Sequence, residues 1–271
     1  MAEKKVETTE MAPVADNFVL DLSQFQEFRS ADGVIAGMEA MDSSDIKMPR
    51  IKLIQSTSEE AQKGLAKAGQ FYNSVTGEAK DELEVVLLVM GKSRVRFEQP
   101  YKRGAQPLCR SFDGKVSTDG ELCATCPYAD WDKAKDGGKD SPDCRQGITW
   151  MFLETDNLNS IPPRMVVSGA SMSDQKNFLT KLTSLGGYPP YILVTKITAE
   201  QQTNDKGIFY IAKFDFAKNA DGAIKAVSPA EAARYRDLSE QWKTMTTRLA
   251  EYDTERFDEA SVIDSEEGGI Y

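Results

Sequence analysis

The clearest pattern along the chain is the arrangement of apolar and polar residues that is typical of β-strands. Residues 85–90 (VVLLVM) are apolar without interruption, as in a strand buried on both faces. The residues that follow alternate, which puts Arg94 and Arg96 on one face and Val95 and Phe97 on the other. Four further segments have strand character: ITWMFLE, PRMVVSG, YILVTKIT and GIFYIAKFDF. Several short strands with few long helices between them favour a small barrel or sandwich over a parallel α/β sheet.

Two segments have helical rather than strand patterning. SDQKNFLTKLTSLGG predicts one helix, and residues 228–252 predict a longer one with a capping box made by Ser228 and Glu231. Apolar residues recur on the longer helix in alternating steps of three and four: Tyr235, Leu238, Trp242, Met245, Leu249 and Tyr252. This heptad stripe predicts a helix that docks on the protein's own core, with homodimerisation through residues 229–252 as the alternative.

These elements predict a mainly β protein with added helices, in the α+β class. We expect four parts: a partly disordered N-terminal arm (1–48), a core (49–227), a C-terminal helix (228–252) and an acidic flexible tail (253–271). No run of 18 apolar residues is present, so no membrane partner is expected. The N-terminus lacks an apolar stretch of signal-peptide length, which predicts a cytoplasmic protein.

The negative charge of the chain is concentrated at its two ends. The whole sequence has a net charge of −10, and residues 251–271 alone hold eight acids and one base. Residues 1–30 hold six acids and three bases, so residues 31–250 carry 29 of each sign. An acidic protein would repel nucleic acid as a whole, whereas a neutral body with an acidic tail does not.

Four cysteines lie within one segment, residues 109–144. Cys109 is followed after thirteen residues by Cys123 and Cys126, and Cys144 follows after a further seventeen. The close pair can turn two sulfurs towards one ion, and the outer two can complete a tetrahedral site, which predicts a structural Zn²⁺. An iron–sulfur cluster, two disulfides or free thiols remain alternatives, because four cysteines alone do not choose between them. The intervening residues are rich in Gly, Asp and Ser and have little core of their own, so a metal would organise this loop.

The sequence offers little for catalysis. It contains no histidine, which removes the commonest general base and every triad or metal-hydrolase motif that depends on it. The GKS at residues 91–93 lacks the first glycine of a phosphate-binding loop and lies within a predicted strand. We therefore expect a protein that is not an enzyme.

A basic and aromatic stretch, residues 92–110, leads directly into the cysteine segment. It has six bases and one acid, in a body whose charges otherwise balance. Arg and Lys that follow a phosphate backbone, interleaved with aromatic rings on which bases stack, are typical of single-strand binding. The predicted nucleic-acid contacts are Lys92, Arg94, Arg96, Phe97, Tyr101, Lys102, Arg103 and Arg110. Further stacking candidates are Trp131, Trp150, Tyr188, Tyr191, Phe209 and Tyr210. The alternative is that the stretch is a solvated strand face.

The C-terminus, DEASVIDSEEGGIY, consists of acids, a flexible Gly-Gly and an apolar tip. It resembles the tails of single-stranded DNA-binding proteins from bacteria and tailed phages. The residues that carry this resemblance are Asp258, Glu259, Asp264, Glu266, Glu267, Ile270 and Tyr271. The resemblance implies an OB-fold, and a tail that recruits replication and recombination proteins and competes with DNA for the basic groove. It also implies a structural zinc beside the groove, as some phage members have.

Together these observations predict a non-catalytic protein that coats single-stranded DNA during phage replication, recombination or repair in the host cytoplasm. The alternative is a zinc-containing interaction protein, or a regulator of transcription or recombination, without affinity for single strands. An iron–sulfur nuclease is the third possibility.

Overall fold

The structure is a computed structural model that describes residues 37, 48–98, 106–137, 141–158, 161–204 and 207–252. Two compact units divide the chain, Met1–Asp45 and Ile46–Tyr271, and every element described below belongs to the second. The predicted acidic tail lies outside the described residues, as does the predicted N-terminal arm apart from Gly37 and Met48.

The described residues form nine strands and four α-helices, with every strand pair antiparallel. The strands are β1 (Ile51–Leu53), β2 (Phe71–Asn73), β3 (Ala79–Lys80), β4 (Glu82–Arg96), β5 (Cys109–Ser111), β6 (Cys144–Glu154), β7 (Arg164–Val167), β8 (Val194–Asn204) and β9 (Gly207–Phe216). The helices are α1 (Glu59–Gln62), α2 (Trp131–Asp136), α3 (Ser171–Ser184) and α4 (Pro229–Tyr252).

The longest strand, β4, organises the larger of two sheets. This six-stranded sheet has the order β7-β6-β4-β8-β9, and β5 pairs with the far end of β4. β6 pairs along nearly the whole of β4, whereas β8 pairs with its first residues and β5 with its last three. β4 is therefore covered on both edges, which agrees with its continuous apolar run.

A β-bulge at Leu88 divides β4 into two parts. Leu87 pairs with Phe152 and Val89 with Met151, so Leu88 has no partner on β6. An extra residue on one strand shifts the alternation of side chains by one position. Leu87 therefore faces the inner core before the bulge, whereas Val89 packs on the outer core after it.

The inner core lies between the large sheet, α3 and the small sheet β1-β2-β3. Its centre is Trp150, whose ring lies 4.5 Å from that of Phe214 and 5.9 Å from that of Phe178. The small sheet reaches both edge strands of the large one. An isolated parallel bridge links Arg50 to the edge strand β7, and the Gln55 side chain exchanges two hydrogen bonds with the backbone of Tyr210 on β9.

The outer face of the large sheet is covered by α4. Its predicted capping box is confirmed: Ser228 N–H donates to the Glu231 carboxylate at 2.8 Å, and Glu231 N–H donates to the Ser228 hydroxyl at 3.3 Å. Tyr235 is buried in the outer core, and Leu238 and Trp242 pack against it. The first half of the heptad stripe thus docks on the protein's own core, as predicted. The side chains of Met245, Leu249 and Tyr252 lie outside the described residues.

The predicted α+β class with mainly β content is confirmed. The predicted barrel is not closed within the described residues, because the strand order β7-β6-β4-β8-β9 leaves β7 and β9 as the edges of an open sheet. In the part of the chain that the structure describes, no helix is long and apolar enough to cross a membrane.

Candidate cysteine cluster and nucleic-acid interface

The far end of β4 brings the two outer cysteines to one face of the sheet. Arg96 is paired with Cys109 on β5 and with Cys144 on β6. Residues directly opposite one another on neighbouring strands share a face, so the three side chains form a row with the guanidinium in the middle. Arg94 lies two residues earlier on the same face, opposite Ser111 and Gln146.

The segment between the outer cysteines folds over this row. Asp113 begins it with a turn in which its carboxylate accepts hydrogen bonds from the N–H groups of Lys115 and Val116, which lowers its pKa. Gly114 has φ +70°, and a Cβ there would lie 2.8 Å from the Cβ of Lys92. A glycine is needed at this position both for the left-handed backbone and for the close approach to β4.

The CATC motif forms a tight turn in the same segment. Cys126 N–H donates to the Cys123 carbonyl at 3.4 Å, and a 3₁₀ turn at Pro127–Ala129 follows and contacts β6. Cys123 N–H donates to the Lys115 carbonyl, which ties the motif to the hairpin that begins at Asp113. The two-residue spacing is thus closed by a tight backbone turn.

All four cysteines are free, and they share one electrostatic environment. Burial raises the pKa of the Cys109 thiol, the Asp119 carboxylate raises it further, and the Arg96 guanidinium lowers it, with smaller effects from Cys123 and Cys126. Burial also raises the pKa of Cys144, whereas Arg94 lowers it through its charge and a hydrogen bond. As placed in the described residues, no three ligating side chains are arranged to hold a metal ion. The structure therefore places the four thiols in one region without arranging them as a coordination shell.

Arg96 makes an unusual set of contacts for a partly buried cation. Its guanidinium lies over the ring of Tyr128, 3.7 Å from the centroid, a cation–π contact. Its Nε is buried and has no hydrogen-bond partner among the described residues. Tyr128 was not singled out by the sequence pattern. The available signal was an aromatic residue two positions after Cys126, in a segment that has few apolar residues of its own.

The basic stretch predicted from the sequence is not a single surface. Lys92 is exposed and Arg94 and Arg96 are half-buried on the inner face, beneath or beside the cysteine segment. Arg110 pairs with Val95 and therefore lies on the opposite face. The prediction that Arg110 shares a surface with Arg94 and Arg96 is therefore corrected, because side chains along a strand alternate between its two faces. Three further predicted contacts, Tyr101, Lys102 and Arg103, lie outside the described residues.

Two of the predicted stacking residues are core residues in this structure. Trp150 is 0% exposed and Phe97 is 4% exposed, so neither presents a ring face to a base. Tyr191 is half-buried and packs against the outer core. The exposed aromatic rings of the cysteine segment are Tyr128, which lies against Arg96, and Trp131, three residues later in the chain, at 47% and 49% exposed.

The protein thus has an antiparallel α+β fold, with a cysteine cluster at one end of its six-stranded sheet. The family model described as Pam3 phage gp34-like protein matches residues 15–250, and the chain belongs to this phage protein family. Neither the curated proteins nor the solved structures contain one that matches the chain.

Proposed function

We propose that this protein is a non-catalytic single-stranded DNA-binding protein that acts during phage replication or recombination in the host cytoplasm. The observation that carries the proposal is the pair of half-exposed rings in the cysteine segment, Tyr128 and Trp131, the first of which lies against the Arg96 guanidinium. Aromatic rings supply about 1–3 kcal/mol per stacked base, whatever the base.

The charge of the cysteine segment indicates how such binding would work. Residues 109–144 hold eight acids and five bases, so this segment does not itself attract phosphates. Stacking on Tyr128 and Trp131 would therefore supply most of the affinity contributed by this segment. Phosphate contacts would come from Lys92 and from the predicted bases Lys102 and Arg103, which lie outside the described residues.

A relation to the OB-fold is part of this proposal. Its support is that β1 contacts both edge strands of the large sheet, β7 and β9. Such contacts are expected of a strand that lies between the two ends of a curved sheet. Partner recruitment through the acidic tail and its tip, Ile270 and Tyr271, also remains a proposal that rests on the sequence.

The test is a fluorescence-anisotropy titration of labelled oligo-dT, with duplex of the same length as competitor. We expect tight binding that duplex does not displace. Tyr128→Ala and Trp131→Ala should each weaken binding by about tenfold, since 1.4 kcal/mol of lost stacking corresponds to a factor of ten. Tyr188→Ala is the matched control: Tyr188 is a stacking candidate by sequence and is 61% exposed, but it follows α3 outside the cysteine segment, so its loss should leave the affinity unchanged.

Intrinsic fluorescence provides a second readout. Trp150 is buried and Trp242 is partly buried in the outer core, so Trp131 is the most exposed of the three tryptophans. Oligo-dT should quench the emission of the wild-type protein, and Trp131→Phe should abolish most of the quenching. Absence of binding by the full chain at low salt would refute the proposal.

A second candidate is supported by the exposed apolar residues in and next to the cysteine segment. Leu108, Val116 and Leu122 are 52%, 42% and 59% exposed. Exposed apolar side chains grouped on one segment are typical of a protein-binding surface. An interaction protein or regulator would then bind its partner here, and Tyr128→Ala would weaken that partner without any effect on oligo-dT.

A further inference from the structure

The hairpin of β8 and β9 extends beyond the strand that anchors it in the large sheet. β4 pairs with β8 only as far as Thr198, whereas β9 pairs with β8 as far as Asn204. Beyond Thr198, no strand of the described residues pairs with the edge of β8 that faces away from β9. Residues 199–203 thus form an open edge of β8, and the side chains of Gln201 and Thr203 on it are exposed.

The hydrogen bonds of β9 show which backbone groups lie on this open edge. The Gln55 side chain bonds both the N–H and the C=O of Tyr210, so these two groups point away from β8. In an antiparallel pair, directly opposite residues either bond each other or both point their groups outward. Gln201 lies opposite Tyr210 and therefore directs its N–H and C=O to the open edge. Thr203, two residues later, does the same.

The outer edges of the two strands differ in their protection. On β9, side chains occupy the outward backbone groups: Gln55 bonds Tyr210, and Ala212 N–H donates to the Ser171 hydroxyl at 2.9 Å. On β8, residues 199–203 (AEQQT) contain no lysine or proline, and their pairing with β9 has no bulge. Lysine, proline and bulges are the usual means of preventing edge-to-edge pairing. The open edge therefore presents a template for another strand.

We infer that the open edge of β8 pairs with the same edge of a second copy, antiparallel about a twofold axis. The room for the second strand is limited on one side by Glu82, which lies opposite Thr198, and on the other by the hairpin turn after Asn204. The register that fits between these limits with the most hydrogen bonds is centred on Gln202. Such a contact joins the large sheets of two chains, and it closes on itself because each copy uses the same edge.

The side chains of the edge are complementary to themselves in this register. Gln201 lies opposite Thr203 of the second copy, and two such pairs, each exchanging two bonds, give four backbone hydrogen bonds. Gln202 lies opposite its own counterpart, and Glu200 lies opposite Asn204 of the second copy. No two like charges face one another, so nothing in this pairing is repulsive. The contact depends neither on DNA binding nor on the apolar stripe of α4.

The first experiment measures the mass of the full chain in solution by sedimentation equilibrium. The interface is small, so we expect a weak dimer whose fraction rises with concentration. Gln201→Pro should remain monomeric, because it removes an outward N–H and leaves the hydrogen bonds to β9 in place. Gln201→Ala is the matched control, since it also loses the side-chain contact with Tyr210 but keeps the N–H, and it should dimerise like the wild type.

Two results of this experiment would overturn the inference. One is a wild-type chain that stays monomeric up to about 1 mM, where even a weak specific contact is populated. The other is a dimer that Gln201→Pro does not weaken, which would place the interface elsewhere, as on α4.

The second experiment tests the register and does not require the proline variant to fold. Gln202→Cys places two thiols directly opposite each other at a pair without hydrogen bonds, where the Cα atoms are about 4.5 Å apart and a disulfide can form. Mild oxidation with a small-molecule disulfide should then link two chains. Glu200→Cys is the control, because Glu200 faces Asn204 of the second copy, and the wild type controls for the four native cysteines. Linking of Glu200→Cys or of the wild type as complete as that of Gln202→Cys would refute this pairing.

These measurements use no nucleic acid, so their outcome is separate from that of the oligo-dT titration. A dimer through β8 without binding of single strands would leave this inference standing and remove the DNA proposal. A chain that binds single strands but stays monomeric would do the reverse.

Discussion

Ser239→Ala tests how α4 is held on the outer face of the sheet. The Ser239 hydroxyl donates a hydrogen bond of 2.8 Å to the carbonyl of Leu88, and both atoms are buried. Leu88 is the extra residue of the β4 bulge and has no partner on β6. The bulge therefore leaves a carbonyl that the sheet does not satisfy, and a side chain from α4 satisfies it instead.

The expected loss follows from that unpaired carbonyl. Leaving a buried acceptor without a donor costs about 1–3 kcal/mol. Alanine has a higher helix propensity than serine, which offsets about 0.5 kcal/mol of that cost in the middle of α4. The free energy of unfolding should thus fall by about 1.5 kcal/mol, and for a domain of this size the Tm should fall by about 3–6 °C.

Thermal unfolding followed by circular dichroism measures this change, and urea unfolding should give the same loss with an unchanged m-value. Ser173→Ala is the control, because Ser173 is an exposed serine in the first turn of α3. Equal stability of the two variants would mean that the Leu88 carbonyl is satisfied in another way, and the reasoning about the bulge would be wrong. Oligo-dT affinity should not change, since Ser239 faces the outer core.

Two further predictions concern the inner core and the tail. Gln175 on α3 is 0% exposed, and within the part of the chain that the structure describes neither of its amide atoms has a hydrogen-bond partner. Gln175→Met, which conserves volume, should therefore raise the free energy of unfolding by about 1–2 kcal/mol in urea unfolding. A decrease would show that the amide has a partner in solution. A chain that ends at Tyr252 keeps α4 and loses seven acids and one base. Its affinity for oligo-dT should rise most at low salt, because a tethered acidic segment competes for the same cations. Equal affinity of both chains at low salt would refute competition by the tail.

The elements with a strong local signal were predictable from the sequence. The apolar run of β4, the alternation of Arg94 and Val95, and the Ser228–Glu231 capping box depend only on residues close in the chain. The α+β class follows from them. Docking of α4 on the outer core was also predictable, because an apolar stripe needs a surface to cover.

Assignments that depend on register were not predictable. Trp150 is central to the inner core because β6 pairs with β4 so that Trp150 lies opposite Met90, and no local pattern sets that register. The bulge at Leu88 is equally invisible in a run of six apolar residues. Arg110 illustrates the same limit: its distance along the sequence from Arg96 is short, yet the pairing with Val95 puts it on the other face.

The placement of Arg94 and Arg96 determines which variants can test DNA binding. Both were predicted to contact phosphates, but both lie in the row with the cysteines and partly beneath the segment that the cysteines flank. Because the Arg96 guanidinium lies over the ring of Tyr128, replacing Arg96 would disturb the segment that presents Tyr128 and Trp131. A loss of affinity would then not distinguish a phosphate contact from a disordered segment. Tyr128→Ala and Trp131→Ala avoid this ambiguity when thermal unfolding is measured in the same preparations. An unchanged Tm with lost binding assigns the rings to the nucleic acid, whereas a lower Tm assigns the effect to the fold of the segment.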